Sequence, residues 1–256
     1  LHGCPDASFA WREQMATLAR NNFYVIAPNQ RGYNLSDKPK GVESYRMKHL
    51  TSDIIALADK FDFEQFNLAG HDFGGLVTWN LVVNYPERIK RFVIFNAPHP
   101  EVIAKFVEEN KEQKKKSWYA YFFKLPIIPE FAIRATNWYP FVSIMKDSFS
   151  EEELEEYRHA WAIPGANKAT INWYRALFKY QEEDFPKNKT IDVPALVVWG
   201  MKDPHLMWQL AALSAARCSN GRVEYLEEAT HWVLKDAPEE TSALLIDFFK
   251  ASGKGI

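Results

Sequence analysis

Three charged or titratable side chains follow predicted strands in the sequence, and together they could carry out nucleophilic hydrolysis. Asp72 follows the run FNLAG, Asp203 follows ALVVWG, and His231 follows RVEYLEEAT. An aspartate can attack carbon to form an ester, and a histidine oriented by a second carboxylate can then activate water. Nucleophile, acid and histidine occur in the chain order of a strand–turn–helix hydrolase. We therefore predict that these three residues form one catalytic site.

The stretch NLAGHDFGGLVTWN changes from an apolar run to a helical pattern at Asp72. A tight turn between a strand and a helix strains its central residue and crowds the neighbouring backbone. Gly70 and Gly74 relieve that crowding because they carry no side chain. A G-x-D-x-G pattern by itself also fits an ordinary turn. The catalytic hypothesis therefore depends on the flanking strand and helix and on Asp203 and His231 at later strand ends.

The elements that must position these residues are short apolar strands and the helices between them. Four runs bounded by turn signals predict buried strands, and a fifth, more polar run predicts an edge strand; they cover residues 23–28, 66–70, 91–96, 195–200 and 222–227. Helical patterns cover residues 48–61, 75–85, 208–217 and 239–250. This alternation predicts an α/β fold with a mostly parallel, doubly wound sheet, in which ligands bind beyond the carboxyl ends of the strands.

Residues 98–186 break the alternation, because they hold aromatic helical segments punctuated by prolines and no convincing strand. We interpret them as a helical cap, or lid, inserted into a core formed by residues 1–97 and 187–256. A second helical layer of the core is the alternative interpretation. The opening stretch LHGCPDA is typical of a strand end entering a loop. We therefore expect the first strands of the sheet to be absent from this chain.

Composition excludes several classes of function. The chain has 256 residues and a net charge of −2, which suits one core with a lid and favours neither a nucleic-acid nor a membrane-surface partner. Cys4 and Cys218 are the two cysteines, so we predict neither a disulfide scaffold nor a metal site, and no cofactor. No apolar stretch reaches the roughly 18 residues of a membrane span. We expect a cytoplasmic protein, with a signal peptide left open, and a homodimer as one assembly state.

Other residues compete for the acid and base roles. His71 and His205 lie beside the predicted nucleophile and acid, where we expect them to pack rather than react. The remaining alternatives are the bases His2, His49, His99 and His159 and the acids Glu101, Asp192 and Asp236. Glu101 follows another core strand and is the best of the alternative acids. His231 is favoured as the base by its position.

The loop HGCP, residues 2–5, follows the first visible remnant of a strand. We predict that it presents the backbone N–H of Cys4 to a developing oxyanion, with the N–H of Phe73 as the second donor. His2 braces this loop, and Pro5 holds its shape, with a cis peptide as one means. A catalytic thiol at Cys4 is the alternative, and it is disfavoured because no histidine has a clear place beside it.

The motifs HGCP, APNQRGYNLSDKP, GHDFGG, FNAPHPEV, GMKDP and EATHWVLKDAPEE resemble, in order, those of the epoxide hydrolases of the α/β-hydrolase superfamily. They span nearly the whole chain. The resemblance implies the α/β-hydrolase fold and explains the aspartate at the turn. In that family a carboxylate opens an epoxide at carbon to give an alkyl ester, and water activated by a histidine–acid pair hydrolyses the ester to a vicinal diol.

The resemblance also implies a proton donor for the alkoxide that epoxide opening creates. A tyrosine, with a pKa of about 10, can supply that proton without being ionised at neutral pH. The family places one tyrosine in each of two lid segments, which here correspond to Tyr119 in SWYAYFF and Tyr174 in NWYRALF. Tyr121 is a rival for the first, and core packing is the alternative for both. The aromatic lid implies an apolar epoxide, which we predict is contacted by His2, Pro5, Trp118, Trp173 and Trp232.

Two other functions stay open. Haloalkane dehalogenases of the same architecture carry Trp after the nucleophile and often Asn in the HGxP loop, where this chain has Phe73 and Cys4. Fluoroacetate dehalogenases carry an arginine beside the nucleophile, and HDFGGLVTW contains none. A dehalogenase using Asp72 is therefore the alternative enzyme. A non-catalytic ligand-binding relative is the third hypothesis, since Phe73, Asn29 and Asn34 depart from the residues common in epoxide hydrolases.

Overall fold

A computed structural model describes residues 1–185 and 189–251. Within these ranges four strands form one parallel sheet in the order β1–β2–β3–β4, with the bounds Phe66–His71, Ile89–Phe95, Ala195–Gly200 and Gly221–Leu226. Every residue of β3 is buried, as expected for a strand covered on both faces. The more polar β4 forms an edge, as predicted. Because all four strands are parallel, their carboxyl ends meet along one edge of the sheet.

The α-helices lie on the faces of the sheet and above its carboxyl edge. In chain order they are α1 Arg12–Arg20, α2 Met47–Lys60, α3 Phe73–Asn84, α4 Pro100–Glu109, α5 Lys111–Lys116, α6 Trp118–Phe123, α7 Ile128–Ala135, α8 Tyr139–Met145, α9 Glu151–Ala162, α10 Ala166–Asp184, α11 Gln209–Ala215, α12 Val233–Asp236 and α13 Pro238–Lys250. Short 3-10 helices cover Ser8–Trp11, Glu43–Tyr45 and Pro86–Arg88. In the described part of the chain, no helix combines the length and apolar character needed to cross a bilayer.

Successive side chains of β2 point into two separate hydrophobic clusters, one on each face of the sheet, so helices cover both faces. Val93 and Phe95 pack with side chains of α1 and α13. Phe92 and Ile94 pack with side chains of α2, α3 and α11. The alternation follows from the two-residue period of a strand. The doubly wound arrangement that the sequence predicts is therefore present in the core.

The strand predicted at residues 23–28 is wrong, because the structure has no strand there. Phe23, Val25 and Ala27 still pack against the cluster that contains α1 and α13. An apolar run becomes a strand when a neighbouring strand completes its hydrogen bonds, and no strand pairs with residues 23–28 in the described ranges. The backbone of Leu1 lies beside β1, since its nitrogen is 2.5 Å from Ala69 O and its carbonyl accepts from the His71 N–H at 3.0 Å.

Helices α4 to α10 follow one another from Pro100 to Asp184, and no strand interrupts them within the described residues. Helix α9 begins with a capping box, in which Ser150 and Glu153 satisfy each other's backbone N–H groups. Helix α10 contacts α6, α7 and α9 and also α2 of the core. The interpretation of residues 98–186 as an inserted cap stays a prediction. The boundary between residues 186 and 187 lies outside the described residues.

Candidate active site

Asp72 lies in the turn between β1 and α3, with a φ of +50° and a ψ of −120°. A positive φ is costly for a residue with a side chain, so the surrounding packing must hold it. Gly74 and Gly3 allow the segment of residues 1–3 to lie close to this turn. A Cβ at Gly74 would lie 2.2 Å from the Leu1 carbonyl oxygen, and one at Gly3 would lie 2.4 Å from the Asp72 Cβ. The turn therefore presents Asp72 beyond the carboxyl edge of the sheet.

His231 lies between two carboxylates that come from different strand ends. Its Nδ1 is 2.7 Å from Oδ2 of Asp203, and its Nε2 is 3.6 Å from Oδ2 of Asp72. Asp203 also accepts hydrogen bonds from the Asn96 side chain at 2.7 Å and from the backbone N–H groups of residues 205 and 206 at 2.7 and 2.9 Å. These bonds fix the acid, which in turn orients the imidazole.

The charges in this cluster depend on one another. Burial by itself lowers the pKa of His231, but the carboxylates of Asp203 and Asp72 outweigh burial and raise that pKa to about 10. Burial raises the pKa of Asp203, but His231 and Asn96 outweigh it and lower that pKa to about 2. The pKa of Asp72 is also below its usual value, because His231 and the Cys4 N–H outweigh the effect of burial. In the resting site, two carboxylates therefore share one imidazolium.

The loop of residues 2–5 brings a backbone donor to the nucleophile. The N–H of Cys4 donates to Oδ1 of Asp72 at 2.7 Å, and the peptide bond between Cys4 and Pro5 is cis. Burial raises the pKa of the Cys4 thiol far above its usual range, so the thiol stays protonated and is a poor nucleophile. Phe73 is the first residue of α3, and its N–H has no acceptor inside the helix. The two N–H groups therefore come from different segments, the loop of residues 2–5 and the first turn of α3.

A cavity of about 310 Å³ opens at Asp72 and is lined mainly by α4, α6 and α10. Tyr119 of α6 and Tyr174 of α10 both line it, with ring centroids 6.2 Å apart and rings nearly perpendicular. Burial raises the pKa of both phenols well above the usual value, so both keep their protons. Tyr121 also lines the cavity, but 45% of its surface is exposed. A carboxylate and two protonated phenols therefore line the same cavity.

The five residues that we predicted to contact substrate do not line this cavity. Trp118 is 64% exposed on the outer side of α6. The indole N–H groups of Trp173 and Trp232 donate to the carbonyls of residues 31 and 144, at 2.9 and 2.8 Å. His2 accepts from the Gln30 N–H at 3.0 Å, and the Pro5 carbonyl accepts from an indole N–H of α9. Trp173, Trp232, His2 and Pro5 thus form hydrogen bonds to neighbouring helices and loops, outside the lining of the cavity.

The alternative acids, and His71 beside the nucleophile, have other partners. Glu101 forms an ion pair with the Arg217 side chain, Asp192 accepts from Ser219, and Asp236 accepts from Thr230. The Nε2 of His71 contacts the backbone carbonyl of residue 231 at 2.9 Å, and burial lowers the pKa of His71 to about 4. Sequence reasoning missed Asn96, although it directly follows β2 and the strand-end rule applied to the acids would have selected it.

Comparison with known proteins agrees with this geometry. The family model described as the alpha/beta hydrolase fold matches residues 1–238. The chain belongs to this family. The alpha/beta hydrolase fold predicted from the motifs is thereby confirmed, as is the prediction of a hydrolase.

Similar individual proteins within this family include several that are named epoxide hydrolases. The AB hydrolase superfamily protein YfhM of Bacillus subtilis is 38% identical over 98% of this chain and 88% of its own length. Epoxide hydrolase 2 of Caenorhabditis elegans is 31% identical over 97% of this chain and 72% of its own. A crystal structure of Bacillus megaterium epoxide hydrolase with an inhibitor superimposes with a TM-score of 0.89 at 28% identity, covering 98% and 92% of the two chains. The predicted resemblance to epoxide hydrolases is confirmed.

Proposed function

We propose that this alpha/beta hydrolase converts apolar epoxides into vicinal diols through an alkyl ester on Asp72. One observation carries the proposal: a single cavity contains the Asp72 carboxylate and the protonated phenols of Tyr119 and Tyr174. A carboxylate supplies the nucleophile for epoxide opening, and a phenol supplies the proton that the resulting alkoxide needs. The relatives named epoxide hydrolases support the same substrate class.

The first half-reaction uses the oxygen of Asp72 that the backbone does not hold. Cys4 N–H binds Oδ1, so Oδ2 attacks an epoxide carbon. The new Oδ2–carbon bond forms as the carbon–oxygen bond of the epoxide breaks, and the electron pair of that bond moves to the epoxide oxygen. A proton from Tyr119 or Tyr174 then neutralises this oxygen. Apolar side chains such as Ile103, Val107 and Phe178 favour an apolar substituent on the substrate.

The second half-reaction depends on the change of charge at Asp72. Esterification removes the negative charge that lies 3.6 Å from the imidazole, so the pKa of His231 falls. The imidazolium proton then restores the tyrosine phenol, which leaves a neutral imidazole oriented by Asp203. His231 takes a proton from water as the water oxygen attacks Cγ of Asp72. Oδ1 carries the developing charge, stabilised by the N–H groups of Cys4 and Phe73. The intermediate then collapses as the Cγ–Oδ2 bond breaks, and Oδ2 leaves in the diol with the proton that His231 returns to it. The new carboxyl group of Asp72, which now holds the water oxygen, loses its proton to His231, and this restores the resting carboxylate and imidazolium.

An oxygen-isotope experiment tests the ester. In a single turnover with excess enzyme in oxygen-18 water, the first diol should contain no label, because its new oxygen comes from Oδ2 of Asp72. Label should instead enter the carboxyl group of Asp72, which peptide mass spectrometry can detect. Full labelling of the first diol would show direct attack by water and would refute the proposal.

A substrate panel separates the proposal from the other two functions. Terminal, aryl and long-chain epoxides should yield diols, whereas haloalkanes and fluoroacetate should release no halide. The side chains at Phe73 and Cys4 offer neither the indole nor the amide that dehalogenases use at these positions. Halide release without any diol would assign a dehalogenase. Absence of both products and of any ester would leave ligand binding as the function.

A further inference from the structure

Helix α9 is bonded to the loop that carries the Cys4 donor. We call residues 3–7 the oxyanion loop. Within it the N–H of Asp6 donates to Gly3 O at 3.2 Å, and the Asp6 carboxylate accepts from the N–H of Ala7 at 3.0 Å and from the hydroxyl of Tyr157 on α9. One turn further along α9, the indole N–H of Trp161 donates to the Pro5 carbonyl at 2.6 Å. Two consecutive residues of the loop are therefore bonded to the same helix.

The same helix is also anchored to two other segments near the site. Glu153 pairs with Lys235 of α12 at 2.6 Å, and Glu156 pairs with Arg12 of α1 at 2.5 Å. These ion pairs are partly exposed, so solvent screens them. The bond between Asp6 and Tyr157 is different, because Asp6 is only 3% exposed and its carboxylate is satisfied inside the protein. Breaking a buried hydrogen bond leaves its partner unsatisfied, so this bond contributes more than the screened ion pairs.

We propose that Asp6 and Tyr157 are positioning residues for hydrolysis of the Asp72 ester, because their bond holds the Cys4 N–H against Oδ1. This inference rests on the proposed function. Asp6 is two residues from Cys4 in a loop closed by the bond between the Asp6 N–H and Gly3 O. Movement of Asp6 toward or away from α9 therefore moves the peptide plane that carries the donor.

The charge on Oδ1 decides which half-reaction this donor helps. Oδ1 carries about half a charge in the resting carboxylate, little in the ester, and a full charge in the tetrahedral intermediate. A hydrogen bond from Cys4 therefore stabilises the transition state of hydrolysis more than the ester that precedes it. The same bond stabilises the resting carboxylate, so it restrains attack on the epoxide. Weakening the donor should slow hydrolysis while alkylation stays unchanged or becomes faster.

The experiment compares Tyr157→Phe with Glu156→Gln on the same helix. Stopped-flow tryptophan fluorescence with excess enzyme gives the rate constants of alkylation and of hydrolysis, and urea unfolding verifies that each variant is folded. Tyr157→Phe should lower the hydrolysis rate constant about tenfold or more. Its alkylation rate constant should not fall, so kcat and KM should decrease together. Glu156→Gln loses only a screened ion pair and should change both rate constants by less than about twofold.

A double-mutant cycle shows whether the two side chains act through one bond. Asp6→Ala should reduce hydrolysis as Tyr157→Phe does, and combining the two should add little to either alone. A parallel fall of both rate constants, unchanged hydrolysis in folded Tyr157→Phe, or additive effects would overturn the positioning role. A parent enzyme that forms no ester in the same traces would overturn the proposed function as well, so the two failures are distinguishable.

Discussion

His231 approaches Asp72 on the oxygen that the backbone leaves free. The imidazole Nε2 lies 3.6 Å from Oδ2, whereas the Cys4 N–H binds Oδ1 at 2.7 Å. The two oxygens of one carboxylate therefore have different surroundings before any substrate binds. In the proposed reaction this difference separates the oxygen that attacks from the oxygen that later carries negative charge.

The base can be removed while the nucleophile stays intact. In His231→Gln, an epoxide should still alkylate Asp72, but hydrolysis should slow by about 10²- to 10⁴-fold because no general base activates water. Intact-mass spectrometry should then show an adduct of one substrate mass. The same adduct should be absent when Asp72→Asn is added to His231→Gln. An adduct that persists in the double variant would place the ester on another residue.

The two phenols should act in the first half-reaction. Tyr119→Phe and Tyr174→Phe should each lower kcat/KM for epoxides by about tenfold or more, since a general acid contributes about 10²- to 10⁴-fold and the two share the task. Tyr121→Phe is the matched control, because Tyr121 lines the same cavity but is 45% exposed. A larger effect at Tyr121 than at Tyr119 would exchange their assigned roles.

Asp6 should give stability a particular pH dependence. Burial raises the pKa of Asp6 from 3.8 to about 7, and the negative charge of Asp72 raises it as well. The hydrogen bonds from Tyr157 and the Ala7 N–H, together with the charge of His231, lower that pKa but do not outweigh burial. An acid whose pKa is raised by folding adds most to the free energy of unfolding at pH values below its pKa in the unfolded chain. This stabilisation is lost as the pH rises through the folded-state pKa of about 7. The free energy of unfolding of Asp6→Asn, relative to the parent, should therefore rise by up to a few kcal/mol between about pH 4 and pH 8.

Urea unfolding at several pH values measures this difference. The parent and Asp6→Asn differ in hydrogen bonding at every pH, so the informative quantity is the change in their difference with pH. A difference that stays constant between these pH values would mean that the Asp6 carboxyl has an ordinary pKa in the folded state.

The close approach of the oxyanion loop to the nucleophile should make Gly3 intolerant of a side chain. A Cβ there would lie 2.4 Å from the Asp72 Cβ, so Gly3→Ala must displace the loop and should destabilise the protein by about 1–3 kcal/mol. Activity of the folded fraction should fall, because the Cys4 donor moves. Gly41→Ala is the control, since nothing lies within 4 Å of its Cβ position and only its positive φ costs about 1–2 kcal/mol. Equal activity in both variants would contradict the steric argument.

The core strands were predictable because burial on both faces leaves a continuous apolar run, most completely at β3 and in the second half of β2. The error at residues 23–28 has a physical origin, because a ladder depends on a neighbouring strand that local composition does not reveal. The positions of Asp72, Asp203 and His231 at one edge followed from the strand-end rule and the parallel sheet. Asn96 also follows a strand directly, but its side chain is an uncharged amide, so a search for acids and bases does not select it.

Contacts between distant segments could not be read from local patterns. Asp6 and Tyr157 are separated by 151 residues, and neither belongs to a motif that names the other. The direction of the tryptophan rings could not be predicted either, because aromatic character indicates burial or binding but not which way a ring faces. Trp118 faces outward and Trp173 faces a backbone carbonyl, whereas the apolar cavity wall comes from less conspicuous residues such as Ile103 and Val107.

The cavity and the oxyanion loop are served by different helices. Within the described residues, the cavity takes most of its lining from α4, α6 and α10 and none from α9, while α9 is hydrogen-bonded to the loop. Mutations that reshape the cavity wall, for instance at Ile103 or Phe178, leave the bonds of α9 in place. Natural selection can therefore broaden or shift the range of accepted molecules while the residues that hydrolyse the ester are inherited unchanged.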